Sequence, residues 1–240
     1  MSDADPSTNA TAAQRARDGE PAGLVVVTEH QTAGRGRLDR SWETPPRSAL
    51  TFSVLLRPKA PPQRWPWLPL LTGLAVVGGL EDGGYAARLK WPNDVLLDDA
   101  KVAGILLERV ETPTGPAAIL GVGLNVSQSR EELPVDHAAS LVSAGNAEPD
   151  RTVLLGRLVA QLAQEYIRWE SPSGAGELST AYAKACSTLG RAVRVELPHA
   201  DALVGTATGV DADGRLLVET DDGEVTAVGA GDVVHVRPRG

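Results

Sequence analysis

Leu89-Lys90-Trp91-Pro92-Asn93-Asp94-Val95-Leu96-Leu97-Asp98-Asp99 holds a strand, a proline-fixed turn, a second strand and an acidic turn within eleven residues. Apolar side chains flank a Pro-Asn-Asp turn on both sides, which reads as two short strands folded against each other. Downstream, residues 102–110 and 118–126 are two further strand-length apolar runs. Upstream, Leu24-Val25-Val26-Val27 and residues 49–56 are strands, separated by a turn-rich cationic loop over residues 30–47. Pro58 to Pro62 then leads into an apolar helix over about residues 65–80, closed by Gly83-Gly84. The middle of the chain is therefore expected to be a mixed sheet, with long loops on one side and helices on the other, in the α/β (α+β) class.

The flanks extend this frame. Ser7-Thr8-Asn9 stands before the alanine-rich residues 10–17, the signature of an N-capped helix, which Asp18-Gly19 ends. Residues 151–169 and 177–188 carry apolar side chains at helical spacing, as at Leu154, Leu155, Leu158 and Leu162. After Gly190 only short strands remain, at residues 192–197, 203–210, 215–220, 225–228 and 233–236, with Asp213-Gly214 and Asp222-Gly223 as hairpin signals. They predict a small SH3-like β-barrel. The expected domains are residues 1–188 and 189–240.

Composition narrows the function. The 240 residues include 23 basic and 31 acidic ones, a net charge of −8 that opposes general binding to phosphate backbones. Cys186 is the single cysteine, so no intrachain disulfide or repeated thiol spacing is available and a reduced, cytoplasmic setting is expected. Placed in the second predicted C-terminal helix, it reads as a buried spectator. The apolar run at residues 65–80 is broken by Pro66 and Pro69 and falls short of the roughly 20 residues a membrane span requires. Residues 1–9 lack the basic start and apolar centre of a secretory signal. His30, His137, His199 and His235 are scattered without metal-ligand spacing.

The loop carries the first chemical signal. In Gln31-Thr32-Ala33-Gly34-Arg35-Gly36-Arg37-Leu38-Asp39-Arg40-Ser41-Trp42, glycines let the backbone bend around an anion while guanidinium groups offer bidentate donors to phosphate or carboxylate. Trp42 adds a flat face for a purine ring. A solvated basic loop has the same composition, so the segment alone does not decide. Lys90, Asn93 and Asp94, with Lys101 and Gly104 just downstream, would bring cation, amide and carboxylate to one rim of the sheet, where Asp94 can ligate Mg²⁺ and Lys101 can neutralise a carboxylate. An ordinary turn explains Pro-Asn-Asp equally well, and Trp91 reads as core. The glycines of Gly121-Val122-Gly123-Leu124-Asn125 can simply let a strand approach its neighbour. Helix capping accounts for Ser7-Thr8-Asn9, although hydroxyls and an amide also suit a ureido group.

Taken in order, Ser7-Thr8-Asn9, residues 29–37, Lys90-Trp91-Pro92-Asn93-Asp94, Lys101-Val102-Ala103-Gly104-Ile105-Leu106-Leu107-Glu108 and Gly121-Val122-Gly123-Leu124-Asn125 resemble the biotin protein ligase family, in its form without an N-terminal DNA-binding domain. The resemblance implies a catalytic domain related to class II aminoacyl-tRNA synthetases, followed by an SH3-like barrel. It implies an enzyme that uses ATP and Mg²⁺ to turn biotin into biotinyl-5′-AMP and passes the biotinyl group to a lysine of a biotin carboxyl carrier domain. The acceptor would belong to an acetyl-CoA, acyl-CoA or pyruvate carboxylase, with neither nucleic acid nor membrane as partner. Biotin contacts would fall on Ser7, Thr8, Asn9, Gln31, Arg35, Gly36, Arg37 and Lys101. Nucleotide contacts would fall on Trp42, Lys90, Asn93 and Asn125, metal on Asp94, and catalysis on Lys101, Arg35, Arg37 and Asp94. The family ordinarily has a strand ahead of the triplet, whereas only Met1 to Pro6 precede Ser7, so that first strand is expected to be missing.

Two other readings compete. A lipoate ligase shares the fold and the acyl-adenylate chemistry, although the Gly-Arg-Gly-Arg loop joined to Lys-Trp-Pro-Asn-Asp favours biotin. A non-catalytic biotin-binding module would follow if the short N-terminus removed activity.

Overall fold

In a computed structural model, residues 2–145, 147–197 and 201–236 are described. His199 and the final four residues of the expected second domain lie outside them. Helix α1 (Thr8–Arg17) is followed by β1 (Val25–Thr28), β2 (Ala49–Leu56), a 3₁₀ turn at Pro62–Arg64 and helix α2 (Trp67–Glu81). Strands β3 (Arg88–Lys90), β4 (Asp94–Leu97), β5 (Ala100–Val110) and β6 (Ala117–Asn125) come next, then α3 (Arg151–Glu170) and α4 (Gly174–Ala185). The C-terminal strands are β7 (Ala192–Glu196), β8 (Leu203–Val210), β9 (Leu216–Glu219), β10 (Val225–Val228) and β11 (Asp232–His235).

The first six strands form one sheet in the order β1-β2-β6-β5-β4-β3, and every ladder in it is antiparallel. Parallel pairing is limited to single bridges, among them Ser2 to Thr28 and Asp5 to Gln31, by which the N-terminal residues run beside the end of β1. Those few residues thus lie along the β1 edge of the first sheet.

Alternation along the central strands explains how both faces become covered. On β2, Leu50, Phe52, Val54 and Leu56 enter the main core with α2, α3 and α4, while Leu55 joins Ala12, Ala13, Ala16, Val110, Ala117 and Ile119 beneath α1. Helix α2 is apolar on every side because it lies between the sheet and two helices. With the largest core side chains worth about 1.5–3 kcal/mol each on burial, this layer is the main stabilising element.

The C-terminal strands form a second antiparallel sheet, ordered β10-β9-β8-β7-β11, with β10 and β11 at its edges. It is not a separate core. The tip of the β8–β9 hairpin reaches the start of α2 and the β3–β4 turn, where Trp67 Nε1 donates to Ala212 O at 2.8 Å and Trp91 Nε1 donates to Gly214 O at 3.2 Å. Gly214 has φ +82, and a Cβ there would lie 3.2 Å from the Pro66 carbonyl carbon, so the turn needs glycine for both reasons. Trp91 is accordingly a core residue, 2 % exposed. Cys186 differs from its expected helical position. Helix α4 ends one residue earlier, and Cys186 is extended and bridged to Leu89.

Candidate active site

Register places small residues in a row across the first sheet. Thr51 pairs with Gly123, Gly123 with Gly104, Gly104 with Asp94, and Asp94 with Lys90. In the adjoining row Ser53 pairs with Gly121 and Gly121 with Leu106. The result is a low floor, on the face that α1 covers only partly.

Helix α1 supplies one wall with its N-terminus. Ser7 caps the helix by accepting from Ala10 N, and its own N–H donates to Asp5 Oδ1 at 2.8 Å. Thr8 N donates to Gln31 Oε1 at 2.8 Å, and Thr8 Oγ1 also donates to it at 3.1 Å. Ser53 Oγ lies 2.7 Å from Thr8 Oγ1 and 2.6 Å from Asn9 Oδ1. A buried polar network of this kind holds its members in single rotamers. Gly121 makes room for it: a Cβ there would sit 2.3 Å from Asn9 Oδ1.

The loop between β1 and β2 forms the opposite wall. It is pinned to itself by Trp42 N donating to Gly34 O and Gly36 N donating to Arg40 O. Its root is tied by the ion pair of Glu29 with Arg151 and by Arg47 N donating to Glu29 O. The Trp42 indole lies on the glycine floor, since a Cβ at Gly123 would fall 2.3 Å from its ring. Its Nε1 is buried against that floor without a hydrogen-bond partner among the described residues.

Arg35, Arg37 and Arg40 of the loop each have a side-chain partner in the protein. Arg35 faces Glu108, with both guanidinium nitrogens 3.1 Å from a carboxylate oxygen. Arg37 Nη1 donates to Asn93 Oδ1 at 3.0 Å, and Asn93 in turn donates to Ile105 O. Arg40 pairs with Asp232, at the start of β11, and Arg37 Nη2 reaches Gly231 O at 3.4 Å. Burial lowers the Arg37 pKa from its ordinary value, opposed by Asp232 and Asp94. Across the floor, Lys101 Nζ lies 2.6 Å from Asp94 Oδ1. That oxygen is buried and meets the ammonium through charge, without an aligned hydrogen bond.

Together these walls enclose a cleft of about 110 Å³. Of the residues picked out in the sequence, Ser7, Thr8, Asn9, Gln31, Arg35, Gly36, Arg37, Trp42, Asn93, Asp94 and Lys101 all line it. Lys90 and Asn125 do not. Lys90 lies on the same row of the sheet, beyond Asp94, and its charge acts on His235. Asn125 is buried at the end of β6, donating to Ala139 O and accepting from Gln128 Nε2. Thr51 and Asp232 in the lining were not picked out in the sequence, and Arg40 and Ser41 were quoted within the cationic loop without being assigned a contact. Alternate polar positions on an otherwise apolar strand, Thr51 and Ser53, are the signal that could have exposed the β2 contribution. Nothing local marks Asp232, which arrives from the other sheet.

Comparison with known proteins follows this geometry. The model of the biotin/lipoate A/B protein ligase family matches residues 2–125, and that of the biotin protein ligase C-terminal domain matches residues 188–236. The biotin--[acetyl-CoA-carboxylase] ligase of Mycobacterium tuberculosis is 42% identical over 237 residues, covering 96% of this chain and 86% of its own. The bifunctional ligase/repressor BirA of Bacillus subtilis is 34% identical, over 90% of this chain and 68% of its own. The biotin protein ligase of Aquifex aeolicus, solved with biotin and ATP, superimposes with a TM-score of 0.85 at 28% identity, covering 99% of this chain and 98% of that one.

Proposed function

The chain belongs to the biotin/lipoate A/B protein ligase family, and from that premise we propose that its cleft is the active site of a biotin protein ligase, joining biotin to a carrier protein with ATP. The carrying observation is the convergence of Arg35, Arg37 and Lys101 with a polar, ureido-sized wall from Ser7, Thr8, Asn9 and Gln31 around one cavity. The match of residues 188–236 to a domain named for biotin ligases supports the biotin reading over the lipoate one. It also supports a division of the chain near residues 188–189.

A biotin carboxylate and a triphosphate repel each other, and the cleft's cations offset that repulsion. The carboxylate oxygen bonds to the α-phosphorus as the bond to the bridging oxygen breaks and pyrophosphate leaves. Lys101, which lines the same cleft as the helix N-terminus, is the cation placed for the reacting carboxylate. Arg37 holds the phosphate side, steadied by Asn93, Arg35 stands at the same wall paired with Glu108, and Trp42 offers an indole face to the nucleotide. Lys90 contributes only from outside the cleft lining, and Asn125 only by bracing β6.

Magnesium fits this donor set. Asp94 presents a carboxylate at the rim, and Mg²⁺ sites commonly take one or two carboxylates and complete their shell with phosphate oxygens and water. When bound, the ion would neutralise charge on the triphosphate. No group of three or more His, Cys, Asp or Glu side chains able to hold a metal occurs among the described residues.

In the second half-reaction a lysine amine of the acceptor attacks the acyl carbon and AMP leaves. A free lysine has a pKa of about 10.4 and must react neutral, so a carboxylate beside the acyl group lowers the cost of removing its proton. Asp94 takes that role. The acceptor is the carrier domain of acetyl-CoA carboxylase or a related acyl-CoA or pyruvate carboxylase, in the cytoplasm. Among the described residues no helix is long and apolar enough to cross a membrane.

Incubating the chain with labelled biotin, ATP and a biotin carboxyl carrier domain tests the proposal. Covalent, ATP-dependent label on the carrier is expected, and Lys101→Ala should slow adenylate formation by about a hundredfold or more. Label from lipoate instead of biotin, or none with either acid, would overturn it.

A further inference from the structure

We propose that Glu108 is a positioning residue for biotin recognition: held by Arg35, its carboxylate fixes the direction in which the Asn9 amide faces the cleft. This inference rests on the ligase reading above and names a residue outside the cleft lining.

Glu108 lies on β5, on the same side of the strand as Gly104 and Leu106. Its two carboxylate oxygens receive three donors. Arg35 approaches with Nη1 3.1 Å from Oε1 and Nη2 3.1 Å from Oε2, while Asn9 Nδ2 donates to Oε2 at 2.7 Å. The other end of the amide is committed as well, since Asn9 Oδ1 lies 2.6 Å from Ser53 Oγ, and the amide nitrogen also lies 3.5 Å from Leu106 O. Turning the amide over would set its oxygen against a carboxylate and a carbonyl. A ligand therefore meets one fixed arrangement of donor and acceptor.

Exposure separates the two halves of this relay. Arg35 is about half exposed, and an exposed ion pair contributes little by itself. Asn9 is 4 % exposed, so its charge-assisted bond has no ready replacement by water, and losing the carboxylate leaves a buried donor unpaired. The missing side chain at Gly121 leaves the room that the amide occupies. Glu108 is thus tied to the cleft through Asn9, and Arg35 keeps the carboxylate aimed.

Glu108→Gln and Glu108→Ala in the full chain separate positioning from folding. Gln can still accept from Asn9 Nδ2, whereas Ala cannot. The Ala variant should bind biotin about tenfold more weakly by calorimetry and show the same rise in biotin KM, with kcat for adenylate formation within about threefold of the parent. The Gln variant should recover binding to within about threefold. Unchanged biotin affinity in Ala, or a Gln variant as impaired as Ala, overturns the proposal, as does a fall in kcat that tracks a fall in melting temperature. If the parent chain forms no adenylate yet the calorimetric ranking holds, the ligase reading fails and this one stands.

Discussion

At the scale of single residues, the glycines of the sheet separate what a motif suggests from what it does. Gly121 and Gly123 read in sequence as places where strands could approach each other, but each clears space above the sheet, for Asn9 and for the Trp42 ring. Gly121→Ala would put a methyl 2.3 Å from Asn9 Oδ1 and 2.9 Å from its Cγ, so the amide must leave its seat between Ser53 and Glu108. Biotin affinity should drop by roughly tenfold or more, since the network then presents a misplaced donor and acceptor. Calorimetric titration checks this, and an unaltered dissociation constant would mean that this clearance does not govern Asn9. The identities of the cleft residues were legible because the motifs that carry them are contiguous. Lys90 and Asn125 share the floor's face of the sheet yet fall outside the lining, because Lys90 is on the edge strand beyond Asp94 and Asn125 is at the end of β6, committed to Ala139 and Gln128.

At the scale of elements, strands and caps were the most legible because their signals are local. β2 occupies residues 49–56 as its apolar run predicts, and the hairpin of β3 and β4 falls around the Pro-Asn-Asp turn. Helix α4 was placed too far along. Gly174 and Gly176 disguise its first turn, and the apolar spacing continues past its end into Cys186. The loop of residues 30–47 was recognisable as a loop, but its closed form depends on partners from α3, the β3–β4 turn, β5 and β11 that no local pattern shows. Helix α3 matters to that loop beyond its packing, because Arg151 in its first turn grips Glu29 and also donates to Ala49 O. Asp150 caps this helix, accepting from Thr152 N at 2.8 Å and Val153 N at 3.1 Å. Asp150→Ala should cost about 1 kcal/mol, or roughly 2–4 °C in melting temperature for a chain of this size. A thermal melt within experimental error of the parent would show that neighbouring contacts, not the cap, hold the first turn.

At the scale of the whole molecule, the two sheets meet through a polar link as well as through tryptophans. Trp91 N donates to Thr188 Oγ1 at 3.1 Å, and the same hydroxyl lies 3.1 Å from His235 Nε2 on β11, whose first residue, Asp232, holds Arg40 of the cleft loop. Burial pushes the His235 pKa down to about 4 from its ordinary 6.5, with the charges of Lys90 and Arg191 adding to the shift and Asp99 opposing it. In the unfolded chain the imidazole protonates as pH falls through about 6.5, while in the folded chain it stays neutral until near 4. Between those values the unfolded state binds more protons, so stability is full above 6.5, declines as pH falls toward 4, and receives no further loss from this group below that. His235→Gln removes the titration while leaving a polar partner for Thr188. Denaturant midpoints measured from pH 7 to 4 should therefore fall less steeply in the variant than in the parent. Parallel profiles would assign the acid sensitivity to other groups and remove His235 as the titrating element of the seam between the sheets.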